Sequence, residues 1–100
     1  MANNDHSSTD ASRYWPSPDT VYDDVGGRSV LINVRTNLIY ELNETGARFW
    51  QLLDAGYDLA KIKQLMLQEF DVTEADLNRE IGTLLASLSN EGLIVPDEEN

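Results

Sequence analysis

One hundred residues, 41% of them hydrophobic, are enough for one domain with one core and too few for two. A formal charge of −11, with only seven scattered lysines and arginines, leaves no basic footprint for phosphate and argues against nucleic-acid binding. The lack of cysteine excludes disulfides and thiolate metal sites, and no apolar run approaches the roughly 18 residues of a membrane span.

The opening stretch is polar (Asn3, Asn4, Asp5, His6, Ser7, Ser8) and lacks the pattern of a secretory signal, so a cytoplasmic protein is expected. Residues 1–18 show no hydrophobic period and end in Pro16 and Pro18; they read as a disordered tail. Tyr14 and Trp15 interrupt it, and are expected to anchor the tail to its own domain. The domain itself is expected over residues 19–96, with residues 97–100 a mobile acidic tail.

From Thr20 the pattern alternates. Residues 20–25 form a weak first strand, and Gly26-Gly27 signals a turn. Residues 29–34 make a second strand, with Val30, Ile32 and Val34 on one face and Leu31 expected outward. After the connection Arg35, Thr36, Asn37, the third strand spans residues 38–42, with Leu38, Tyr40 and Leu42 inward and Ile39 and Glu41 outward. The period then changes to that of a helix. Asn43 is a helix N-cap followed by Gly46, Phe49, Trp50 and Leu53, and Gly56 ends the first helix. Asp58 caps a second, with Leu59, Ile62, Leu65, Met66 and Phe70 facing the core. Thr73 opens a third through a weak capping box, with the stripe Leu77, Ile81, Leu84, Leu85, Leu88. Gly92 suits a helix C-terminus, and Leu93, Ile94 and Val95 form a short apolar return. The fold class is α+β: a three-stranded antiparallel meander followed by three helices.

No catalytic constellation emerges. His6 is the only histidine and lies in the expected tail, which removes Ser-His-Asp and Cys-His arrangements. Asp23 and Asp24 are adjacent in a strand and point to opposite faces. Glu69, Asp71, Glu74 and Asp76 match no calcium loop and suit a solvated helix junction. Gly26-Gly27 lacks the phosphate-loop pattern, and no Asp-Ser-Leu of an acyl carrier occurs. A non-enzyme without cofactor or metal is expected.

The residues 38–46 (LIYELNETG), then Phe49, Trp50, Leu52 and Leu53, then Glu80, Ile81, Leu84, Leu85, Leu88 and Gly92-Leu93-Ile94, occur in an order and spacing that resembles the PqqD-like proteins, also called RiPP recognition elements. The likeness covers residues 20–95. The acidic position of the third helix, often Asp in that family, is Glu80 here, which keeps the charge. The resemblance implies a winged-helix-like fold and a non-catalytic role: binding the leader segment of a ribosomally made precursor peptide. The length resembles that of the free-standing recognition protein of actinobacterial lasso-peptide systems. That likeness implies two further partners, a cysteine-type leader peptidase and an ATP-dependent cyclase. Within the same family stands the alternative of a peptide chaperone for pyrroloquinoline quinone synthesis. Outside it stands a winged-helix interaction subunit without a peptide ligand. Nucleic acid and membrane are not expected as partners.

An outer strand of a meander offers unpaired backbone groups, and the resemblance implies that a leader adds there, between the third strand and the third helix. The expected contacts on the strand are Leu38, Ile39, Tyr40 and Glu41. On the helix they are Leu77, Glu80, Ile81, Leu84 and Leu88, with Glu80 meeting a basic or hydroxyl group.

Overall fold

The structure is a computed structural model that describes residues 12–97. The elements in chain order are β1 (Tyr14–Pro16), β2 (Thr20–Val25), β3 (Arg28–Asn33), β4 (Leu38–Leu42), α1 (Glu44–Asp54), α2 (Leu59–Glu69), α3 (Glu74–Asn90) and β5 (Ile94–Pro96). The fold is α+β. β2, β3 and β4 form an antiparallel meander in that spatial order, and the three helices follow it.

Local chemistry sets each boundary. Gly26 and Gly27 both have positive φ (60° and 83°), which a two-residue hairpin turn requires, and Val25 pairs directly with Arg28 across it. β3 stops at Asn33, one residue before the expected end. The Asn33 side-chain oxygen accepts from the Arg35 and Thr36 amides, and Asn37 at φ 65° donates its amide to the Asn33 carbonyl. Val34 lies just past the strand, its amide still donating across to the Asp19 carbonyl at 2.9 Å. Each helix starts on the cap read from sequence: Asn43 accepts from the Gly46 amide at 2.8 Å, Asp58 from Lys61 at 2.9 Å, and Thr73 from Asp76 at 3.1 Å.

The core is one cluster that joins the inner sheet face to all three helices: Leu31 and Leu42, then Phe49, Trp50 and Leu53, then Ile62 and Met66, then Leu77, Ile81 and Leu88, closed by Leu93 and Ile94. The two faces of β3 are the reverse of the expectation. Leu31 has no exposed surface and pairs with Tyr40, whereas Val30 and Ile32 lie on the outer face. Three aliphatics on one side outnumber two residues on the other. Yet the antiparallel register places Leu31 beside Tyr40 and Asn33 beside Leu38, and those are the neighbours that face the helices.

A second, two-stranded sheet was not expected. β1 pairs antiparallel with β5, Trp15 opposite Val95. Residues 12–18 are therefore part of the fold rather than of a tail, and residues 1–11 and 98–100 lie outside the described residues. The Ser12 carbonyl accepts from the Leu59 amide, Arg13 Nη1 donates to the Gly56 carbonyl at 2.7 Å, and the Trp15 ring lies 3.8 Å from where a Gly56 side chain would begin. The expected anchoring of Tyr14 and Trp15 to their own domain is thus a strand pairing, invisible in sequence because three residues ending in proline show no alternation.

Candidate functional site

The strand order leaves β2 and β4 at the two margins of the meander, and among the described residues no strand pairs with the outer side of either. The margins differ in what stands beside them. A groove of about 700 Å³ lies against β4, its opposite wall formed by α3. Tyr40, Glu41 and Leu42 line the strand side, and Asn43 and Gly46 the start of α1. The helix side is Asp76, Arg79, Glu80, Thr83 and Leu84, with Val72 as a lip in the loop before α3. The volume suits a short extended segment with a few side chains.

The helical wall follows from the helical period. Positions 76, 79, 80, 83 and 84 recur at offsets 0, 3, 4, 7 and 8, a stripe displaced around α3 from the core stripe. One helix thus seals the core with Leu77, Ile81 and Leu88 and faces the groove with the adjoining polar row. Gly46 fits closely at the start of α1: a side-chain carbon there would stand 3.2 Å from both Asn43 Oδ1 and Leu42 Cδ2, and these side chains would have to shift by a few tenths of an ångström.

The groove is acidic at its rim. Glu41 pairs with Arg28 through both carboxylate oxygens (2.9 and 3.1 Å), and that hydrogen bonding raises the Arg28 guanidinium above its ordinary value. Asp76 accepts from Arg79 Nη1 at 3.1 Å within the helix. Glu80 has no hydrogen bond or ion pair among the described residues. Three carboxylates therefore face one arginine of the groove. Among the described residues no three His, Cys, Asp or Glu side chains converge to hold a metal ion. No described helix is long and apolar enough to cross a membrane.

Of the residues singled out from sequence, the structure brings Tyr40, Glu41, Glu80 and Leu84 together in the groove. Leu38 and Ile39 belong to the same strand margin but do not line the cavity, and Ile39 is 66% exposed on the outer sheet face. Leu77, Ile81 and Leu88 are at most 1% exposed and none of them lines the groove, so the expected direct contact with a ligand is corrected: they are core. Leu42, Asn43, Gly46, Val72, Asp76, Arg79 and Thr83 line the groove and were not singled out for it. The signal that would have found the helical ones is the same 3.6-residue period, begun one position before Leu77.

The outer face of the sheet carries a second feature. Register places Val21 opposite Ile32 and Ile32 opposite Ile39, an aliphatic row across all three strands. Val21 and Ile39 at its ends are 46% and 66% exposed. Beside it runs Asp23, Val30, Glu41, an acid at each end.

The sequence profile of the family described as Coenzyme PQQ synthesis protein D (PqqD) matches residues 28–94. No curated protein sequence matches the chain. Two solved structures resemble it. "Lasso peptide synthetase B1 complexed with the leader peptide" is 27% identical with a TM-score of 0.76, covering 84% of this chain and 99% of that one. "TbiB1 in Complex with the TbiA(beta) Leader Peptide" is 25% identical with a TM-score of 0.73, covering 79% of this chain and 92% of that one.

Proposed function

Because this chain belongs to the PqqD family, we propose that it recognises a peptide rather than transforming one: it binds the leader segment of a ribosomally synthesised precursor and presents it to separate processing enzymes. The observation that carries this reading is the unpaired outer side of β4 beside a groove whose opposite wall is α3. An extended leader adds as a fourth strand. Main-chain hydrogen bonds to β4 supply affinity, and alternate side chains enter the groove over Tyr40, Leu42, Val72 and Leu84. β4 spans five residues, about 16 Å of ladder at roughly 3.3 Å per residue. Ordering the free peptide costs about 2–5 kcal/mol. Two or three apolar anchors and a short ladder leave a net on the order of −8 to −10 kcal/mol, submicromolar binding.

Both structural neighbours are described with a leader peptide, one of them as a lasso peptide synthetase. That favours lasso-peptide maturation, with a cysteine-type leader peptidase and an ATP-dependent cyclase as the enzymes served. The aliphatic row Val21, Ile32, Ile39 supports docking of such an enzyme, because a sheet face that stays apolar and exposed suits a protein partner. Val21→Asp, on the strand farthest from the groove, is expected to abolish pull-down of the peptidase while leaving leader affinity unchanged. The family profile's description favours the second reading, a peptide chaperone of pyrroloquinoline quinone synthesis.

Fluorescence anisotropy with a labelled synthetic leader tests the binding reading. Submicromolar affinity is expected, weakened more than about tenfold by Leu84→Asp with an unchanged circular dichroism spectrum. Unchanged affinity in that variant would place the peptide elsewhere. Titration with the precursor of the quinone cofactor separates the two family readings.

A further inference from the structure

A second cleft of about 670 Å³ lies across the β4–α1 junction from the groove. Its walls are the hairpin end of β3 at Arg28 and Ser29, the α1 residues Ala47, Arg48 and Gln51, and the α2 terminus at Glu69 and Phe70. Glu41, Leu42 and Asn43 line both cavities, so the two meet along the last turn of strand before α1 begins. We propose that this cleft is a second subsite for the same peptide, taking the residues that continue past the segment paired with β4; the proposal rests on the peptide-binding reading above.

Geometry gives the continuation. The ladder ends at Leu42 because Asn43 caps α1 and the backbone turns into the helix. A strand lying along β4 has no backbone partner beyond that point, and the nearest concave surface is this cleft.

Electrostatics gives the chemistry. Two of the chain's seven basic residues, Arg28 and Arg48, line the cleft together with the carboxylates Glu41, Glu44 and Glu69. Arg48 is braced on three sides: Nε and Nη2 donate to Glu69 at 2.7 and 2.8 Å, and Nη1 to Gln51 at 3.1 Å. Arg28 donates Nε and Nη2 to Glu41, which leaves its Nη1 hydrogens without an acceptor among the described residues. Both members of that pair are more than half exposed, so an incoming acceptor reaches Arg28 at little desolvation cost. The occupant is therefore a peptide segment offering a neutral acceptor, a side-chain amide or a backbone carbonyl, to Arg28 and a small apolar group to Ala47 and Phe70. The groove sets three carboxylates against one arginine and the cleft three against two, so the cleft is the less acidic of the two and has the Arg28 hydrogens to offer.

The test uses the whole protein with three synthetic peptides: the full leader and versions shortened from either end. One shortened peptide is expected to bind wild-type protein about tenfold more weakly than the full leader. Gln51→Trp, an exposed position that fills the cleft, is expected to bring the full leader down to that same affinity without changing the affinity of the shortened one; Arg28→Ala is expected to act in the same direction. If Gln51→Trp and Arg28→Ala bind the full leader as tightly as wild type, the second subsite is refuted while the groove stands. If wild type binds none of the three peptides, the groove reading fails and the subsite with it.

Discussion

Leu84 and Ile81 sit three positions apart on α3 and do different work. Ile81 is 1% exposed in the core, whereas Leu84 is half-buried and shared between core and groove. Ile81→Asp is therefore expected to unfold the domain, since an unpaired carboxylate there loses its hydration without a partner. Leu84→Asp is expected to spare the fold and weaken the leader. The same contrast holds on β3. Leu31→Ala is expected to cost about 2–5 kcal/mol in urea unfolding, because it empties a packed position. Val30→Ala on the outer face is expected to cost under about 1 kcal/mol, and a reversed order would contradict the observed register. Sequence alone assigned these residues to the right elements but put Leu31 on the outer side and Ile81 in the groove. A leucine stripe at helical spacing marks burial without saying whether a ligand shares it, and two alternating strand faces that both hold aliphatics leave the inward one open. Burial decided both, through the pairing of Leu31 with Tyr40 and the enclosure of Ile81 in the core.

At the scale of elements, the caps were the most legible feature. Asn43, Asp58 and Thr73 each make the side-chain to amide bond that their residue type and position suggest. Long-range pairings were the least legible: β1 and β5 lie some eighty residues apart and carry no periodic signal, so only the fold brings Trp15 against Val95. The link between α1 and α2 is of the same kind. Arg48 grips Glu69 through both carboxylate oxygens, and that hydrogen bond holds the Glu69 carboxyl below its ordinary value. A group whose pKa is lower in the folded state stabilises the fold above its ordinary value of 4.5 and loses that contribution as the pH falls through the lowered one. Glu69→Gln is thus expected to lower the melting temperature at pH 7, with the gap to wild type closing as the pH drops below 4.5. A gap that does not narrow at all as the pH falls would mean that the carboxylate charge is not what joins the two helices.

For the molecule as a whole, the charge of −11 and the asymmetry of its two sheet margins matter most. The β2 margin is open but carries Asp23 and Asp24, exposed acids that discourage pairing with another strand. The β4 margin is open and stands beside a groove in which Tyr40, Leu42, Val72 and Leu84 offer apolar surface. The meander and the three helices were legible in the sequence from period and caps. The groove was legible only through its neighbours, since a cavity is a property of two surfaces that meet and not of either residue pattern. The most direct test is hydrogen exchange of the backbone amides with and without a saturating synthetic leader. Slowed exchange is expected at the outward-facing amides of β4, with those on the free side of β2 unchanged. A leader that binds tightly yet leaves every β4 amide exchanging at its free rate, or that protects β2 instead, would contradict strand addition at this margin.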